Sequence, residues 1–160
     1  MNLLLLRHGD ALSVGFEDAD RPLSTLGEEQ ALLAARTLQR FDAIPRLIVS
    51  SPYVRAVKTA ELVSSELQVG NVQVSDHLLP GADRDRTLSL LTTNPADRIL
   101  LVGHEPHLRI LLAFLVGASE ASGIALRKGA LASLDLQIAS GRGMGVLRWL
   151  MTSDEMEAIT

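Results

Sequence analysis

Short, almost wholly apolar runs alternate with amphipathic stretches along the chain. Asn2–Arg7 is apolar at consecutive positions, as in a strand covered on both faces. Residues 46–50, led by Pro45, and residues 99–102, four aliphatic side chains in a row, repeat the pattern. Between these runs the apolar spacing becomes helical. Ala31, Ala34, Ala35 and Leu38 make one stripe; Ala56, Ala60, Val63 and Leu67 make a second; Leu108, Leu111, Leu112 and Leu115 make a third. Thr25 followed by Glu28 resembles a capping box for the first of these helices. Ser51-Pro52 predicts the start of the second, a hydroxyl N-cap with proline at the first helical position. Residues 72–75 predict a short strand, Leu79-Pro80-Gly81 a turn, and residues 84–93 a helix closed by Asn94-Pro95. Residues 10–21 have no apolar period and read as a loop.

The character changes near the C-terminus. Residues 130–137 and 145–151 flank the glycine-rich segment 140–143, which predicts an antiparallel hairpin. Residues 154–160 are expected to form a frayed helical tail. Strands separated by helices predict an α/β fold, a three-layer α/β/α sandwich with a mostly parallel central sheet plus the C-terminal hairpin. One domain over residues 1–160 is expected.

In open sheets of this kind ligands bind outside the carboxyl ends of the strands. The first predicted strand ends in Arg7-His8-Gly9. Ser50-Ser51-Pro52 follows the second, with Arg55 in the next helical turn, and Gly103-His104-Glu105-Pro106 follows the third. Two guanidiniums brought together repel unless an anion lies between them, and their forks match phosphate oxygens. A neutral imidazole there is a competent nucleophile toward phosphorus, with the arginines stabilising the oxygens of the transferring group. A second histidine can donate to the same oxygens. The constellation predicts phosphoryl transfer through a phosphohistidine. Taken singly, each residue has a plainer explanation, a hydrogen-bonded strand-end histidine or a solvated arginine; the joint pattern at three strand ends favours the pocket.

Composition narrows the chemistry. The chain has 160 residues, 47% hydrophobic and 21% charged, with no cysteine, so thiol nucleophiles, disulfides and thiolate metal sites are excluded. Aromatic residues make up 3% and the formal net charge is −4, which disfavours nucleic-acid binding by stacking or by a general basic surface. The apolar run Leu3 to Leu6 is broken by Arg7-His8, and no stretch approaches the ~18 residues of a membrane span. A cytoplasmic protein without membrane association is expected. His104 and His107 are separated by Pro106 at a helix start, and no metal or other cofactor is predicted. The segment 141–145 superficially resembles a glycine-rich phosphate loop, but it joins two strands and reads as a turn. Leu126-Arg127-Lys128-Gly129 reads as a solvated loop or as a basic docking patch.

Leu6-Arg7-His8-Gly9 resembles the signature of the histidine phosphatase superfamily. Ser50-Ser51-Pro52, Arg55-Ala56, Thr59-Ala60 and Val102-Gly103-His104-Glu105-Pro106 are similar to its later motifs, in order. Arg7 through Ala11, Arg21-Pro22-Leu23-Ser24, Leu79-Pro80-Gly81-Ala82 and Trp149-Leu150 resemble the short phosphohistidine phosphatases of that superfamily. The resemblance implies that His8 is the phosphorylated nucleophile and that Arg7, Arg55 and His104 complete the phosphate pocket. It makes Arg21 a fourth phosphate contact or a substrate-facing charge, with a solvated loop residue as the alternative. It also implies a phosphohistidine-bearing protein partner, such as a phosphocarrier or a phosphotransfer domain.

One position departs from the family pattern. Members commonly carry a carboxylate general acid just before the Leu-x-Pro segment, where this chain has His77, with Asp76 beside it. Glu105, next to His104, is another candidate donor. An alkoxide leaving group depends strongly on protonation and an imidazole much less, so phosphoramidate substrates are expected to be favoured over monoesters. Only 42 residues separate Arg55 from Arg98, enough for the predicted elements and not for a lid. An open site suits a protein-borne side chain better than a metabolite needing walls. A small-metabolite phosphomonoesterase and a non-catalytic phosphoprotein-binding module are the alternatives. Because His8 must be neutral to attack, activity is expected to fall below roughly pH 6–7, near the ordinary histidine pKa.

Overall fold

A computed structural model describes residues 1–70, 72–139 and 142–160. Ser140 and Gly141, in the predicted hairpin turn, lie outside the described residues. The regular elements run β1 (Asn2–Arg7), α1 (Thr25–Arg40), β2 (Leu47–Ser50), α2 (Val54–Leu67), β3 (Val72–Val74), α3 (Arg84–Thr93), β4 (Arg98–Gly103), α4 (His107–Leu115), β5 (Leu131–Ala139), β6 (Arg142–Met151) and α5 (Ser153–Glu157). Single 3₁₀ turns occupy Asp18–Asp20 and Asp76–Leu78.

The strands form one sheet in the order β3-β2-β4-β1-β5-β6. The pairs β3/β2, β2/β4 and β4/β1 are parallel, whereas β5 runs antiparallel to both β1 and β6. This is the mostly parallel sandwich with a C-terminal hairpin that the sequence predicts.

Strand periodicity divides the core between the two faces. Leu4, Leu6, Ile48, Leu100 and Val102 pack with the stripes of α1 and α2. Leu3, Leu5, Val49, Ile99 and Leu101 pack with Leu88 and Leu91 of α3 and with Leu108, Leu111, Leu112 and Leu115 of α4. Each fully buried leucine contributes about 1.5–3 kcal/mol of transfer free energy. These strands therefore read as unbroken apolar runs because neither face meets water.

Three local expectations are corrected. The cap of α1 is Ser24, not Thr25: its hydroxyl accepts from Gly27 N–H and donates to Asp10 Oδ2. Helix α2 starts at Val54 with Tyr53 as N-cap, two residues beyond the predicted cap Ser51. Residues 153–157 form a docked helix rather than a frayed tail. Thr152 and Glu155 close a capping box there, and Met156 is completely buried against the α1/α2 side of the core.

One close approach fixes the loop after β1. A Cβ on Gly9 would lie 2.3 Å from the carbonyl oxygen of Gly27, and a Cβ on Gly27 would lie 2.0 Å from that of Asp10. Only two glycines allow the loop carrying His8 to cross the first turn of α1 at backbone contact.

Candidate active site

The carboxyl ends of β2, β4 and β1 are adjacent in the sheet, and each delivers part of the site. His8 follows β1, Ser51 and Arg55 follow β2, and His104 follows β4. All four are buried.

The protonation of His8 follows from its neighbours. Nδ1 lies 2.7 Å from the Gly9 carbonyl oxygen, which can only accept, so Nδ1 carries the proton. Nε2 receives a hydrogen bond from Arg55 Nε at 3.1 Å, so it presents a lone pair. Burial, reinforced by Arg55, Arg7 and Lys128 and opposed by the bond to Gly9, lowers the pKa of His8 to about 4. The ring of His8 is therefore neutral at lower pH than an ordinary histidine would be.

Arg55 is held on three sides. Besides His8, its guanidinium donates to the backbone carbonyl of Asp18 and lies 3.4 Å from Oδ2 of the same residue. Its carbonyl accepts from Thr59 Oγ1, which in turn accepts from Gly9 N–H. Burial opposes ionisation of Asp18, yet Arg55 and Arg21 hold its carboxyl below the usual range.

Arg7 donates to the carbonyl of Leu126 at 2.9 Å, and its Nε is buried without a partner among the described residues. Burial and the nearby Arg55 lower its pKa, while Glu105 opposes them. The basic segment at residues 126–129 is thus the back wall of this site. Gly129, at φ +72°, donates to the carbonyls of Arg7 and His8, and Lys128 pairs with Asp10 at 2.6 Å.

The rings of His104 and His8 are 4.9 Å apart, centroid to centroid. His104 Nε2 lies 2.8 Å from Ser51 Oγ, and its Nδ1 is buried with no partner. Tyr53 closes one side, 5.0 Å from the His104 ring, with the Arg55 guanidinium 4.9 Å from its own ring centre.

The pocket thus combines a neutral imidazole with an accepting Nε2, two guanidiniums and a second neutral imidazole inside an acidic chain. Such a set can accept a phosphoryl group and stabilise its oxygens. Of the other predicted residues, Arg21 uses its guanidinium on the carbonyls of Leu12 and Ala11 and on Asp18, the carboxylate it shares with Arg55. Glu105 pairs with Arg109 at 3.0 Å. Asp76 is exposed, and His77 is half-buried with an unpartnered Nδ1. Among the described residues, neither hydrogen-bonds to His8, Arg55 or His104. No group of three or more His, Asp or Glu side chains among the described residues is placed to hold a metal ion, and no described helix is long and apolar enough to cross a membrane.

Sequence reasoning missed Asp18, Tyr53 and the site role of Ser51. Asp18 sits in a loop with no periodicity to single it out. Tyr53 is the chain's only tyrosine and stands between Pro52 and Arg55, a signal that could have been used.

The profile of the histidine phosphatase superfamily (branch 1) matches residues 3–79. The chain is 35% identical over 113 residues to an uncharacterized protein of Picosynechococcus sp., covering 68% of each. It is 30% identical over 119 residues to the phosphohistidine phosphatase SixA of Escherichia coli, covering 72% of this chain and 74% of that one. The solved structure of the protein histidine phosphatase SixA complexed with tungstate superposes with a TM-score of 0.84 at 29% identity, covering 96% of this chain and 98% of that chain.

Proposed function

The chain belongs to the histidine phosphatase superfamily, and from that premise we propose that it is a phosphatase that dephosphorylates phosphohistidine on other proteins through a covalent intermediate on His8. The observation that carries the proposal is the tautomer of His8. Its proton is held on Nδ1 by Gly9, and its Nε2 lone pair lies beside Arg55.

In the first step Arg55 Nε–H shifts from His8 Nε2 to a phosphoryl oxygen, and the lone pair so freed bonds to phosphorus while the P–N bond to the substrate imidazole breaks. The bonding electron pair leaves with that imidazole, which takes a proton from solvent. Arg7 and Arg55 balance the charge on the phosphoryl oxygens, and the neutral His104 donates a hydrogen bond to one of them. In the second step water attacks phospho-His8; the imidazole recovers its lone pair, and inorganic phosphate departs with the water oxygen. Neither step depends on a strong general acid, consistent with Asp76, His77 and Glu105 making no hydrogen bond to His8.

Two observations support a protein substrate. The residues from Arg55 to β4 are taken up by α2, β3, a 3₁₀ turn and α3, with no inserted lid element among the described residues. The E. coli protein quoted above is itself a phosphohistidine phosphatase. A phosphocarrier or a histidine phosphotransfer domain is the partner class proposed.

The test is a phosphatase screen of wild type and His8→Ala against a phosphohistidine protein, a phosphoserine peptide and small-metabolite monoesters. Preference for the phosphohistidine protein, abolished in His8→Ala, is expected. Faster turnover of a metabolite would assign the protein to the small-molecule phosphatases. A wild type that binds tungstate but hydrolyses nothing would make it a binding module.

A further inference from the structure

His104 offers a question that the two-step scheme does not answer. Its ring is 1% exposed, and burial, then His8, Arg55 and Arg7, lower its pKa to about 3, with Asp18 opposing. The ring is therefore neutral and has a single N–H. Which nitrogen bears that hydrogen decides whether the ring donates to a phosphoryl oxygen or repels it.

The neighbours of Ser51 decide the matter. Ser51 is fully buried, and its backbone is pinned on both sides. Its N–H donates to Val102 of β4, and its carbonyl accepts from Ser50 Oγ. Ser50 and Val102 are register partners in the β2/β4 ladder, so the ends of these strands set the spacing between Ser51 and His104. The hydroxyl oxygen accepts from Tyr53 N–H at 3.4 Å, which leaves its own hydrogen for another acceptor. His104 Nε2, 2.8 Å away, is the one acceptor within reach among the described residues; were the hydroxyl instead to accept from Nε2–H as well, its own buried hydrogen would have no partner. The remaining ring nitrogen, Nδ1, is buried and unpartnered among the described residues. A buried nitrogen without a partner is uncommon in folded proteins, and beside two arginines it is suited to an anionic oxygen.

We infer that Ser51 is a positioning residue: its hydroxyl donates to Nε2 of His104, fixes the Nδ1–H tautomer, and so presents a hydrogen-bond donor to the phosphoryl group on His8. The inference rests on the proposed phosphatase activity for its catalytic consequence but not for its structural content. It gives Ser51 a use distinct from the helix cap that its place before Pro52 suggests. It also explains a second buried hydroxyl, next to that of Ser50, just past a strand whose buried apolar side chains are Ile48 and Val49.

The experiment combines imidazole ¹⁵N NMR with kinetics on wild type, Ser51→Ala and Ser51→Thr, using a phosphohistidine protein and p-nitrophenyl phosphate. Wild type is expected to show His104 protonated at Nδ1. Ser51→Ala should lose that single tautomer, and its kcat should fall about tenfold, the scale of one lost hydrogen bond, with KM little changed. Ser51→Thr, which keeps the hydroxyl, should recover both the tautomer and most of the rate. A wild-type proton on Nε2 would overturn the inference. So would a folded Ser51→Ala with unchanged tautomer and kcat. If Ser51→Ala does not fold, the wild-type and Ser51→Thr spectra still decide between the two tautomers. If wild type hydrolyses neither substrate, the proposed function fails, while the spectra still judge the role of Ser51.

Discussion

Nε of Arg55 donates to Nε2 of His8 across 3.1 Å. An arginine nitrogen can only donate, so this contact exists only while the imidazole nitrogen is unprotonated. The cation proposed to neutralise the phosphoryl group therefore also disfavours the protonated form of the proposed nucleophile.

The acid limb of the pH–rate profile should reflect that arrangement. With His8 lowered to about 4, the neutral fraction stays near unity down to about pH 5. The ratio kcat/KM, which reports the free enzyme, is expected to be flat from pH 7 to 5 and half-maximal near pH 4. A half-maximum near 6.5 would mean that burial and Arg55 do not perturb His8.

Stability should depend on pH in a different window. His8 and His104 have folded pKa values of about 4 and about 3, both below the ~6.5 of the unfolded chain. Above pH 6.5 neither state binds these protons, and the contribution of the neutral histidines is complete. As the pH falls, the unfolded chain takes up protons that the folded chain refuses, and stability drops by roughly 1.4 kcal/mol per pH unit for each histidine. Urea unfolding should show the midpoint falling between pH 7 and pH 5, with a shallower fall in His104→Gln.

Arg55→Lys should be nearly as damaging as Arg55→Ala. A lysine carries the charge but cannot donate to His8 while reaching both oxygens of Asp18, since it has one nitrogen where arginine has a fork. A loss of kcat on the order of 10²–10³ is expected for either variant, as for removal of an oxyanion donor. Steady-state kinetics showing full activity in Arg55→Lys would leave charge alone as the requirement.

The C-terminal helix should report on the core rather than behave as a loose end. Met156 is completely buried, and its replacement by alanine is expected to cost about 2–5 kcal/mol. Chemical denaturation of Met156→Ala checks this. A change within about 0.5 kcal/mol, as at an exposed surface position, would return residues 153–157 to the status of a tail.

How far these features can be read from sequence depends on what each one rests on. The strands β1, β2 and β4 are legible because burial on both faces leaves an unbroken apolar run, and the helices because their buried stripes repeat with helical period. His8, Arg55 and His104 are legible because strand ends in such sheets point to one crevice. Ser24 is passed over as a cap because Thr25 offers the same hydroxyl one residue later; only the bond from Ser24 to Asp10 distinguishes them. Docking of Met156 is illegible because a single buried residue in a five-residue helix has no periodicity. The pKa of His8 is set by burial and by Arg55, a residue 47 positions away, and no local pattern reports such a pairing.

The sheet order gives the pocket a timetable. β1 and β2 do not pair with each other; β4 lies between them, bonded to β1 on one side and β2 on the other. A chain growing from its N-terminus therefore has His8 and Arg55 with 42 residues still to come before the strand that brings them together. Because such non-local pairings are made late, phosphate binding should arise only once residue 104 is available and β4 has inserted. Binding of a phosphate analogue would then serve as a sensor of that single strand's arrival.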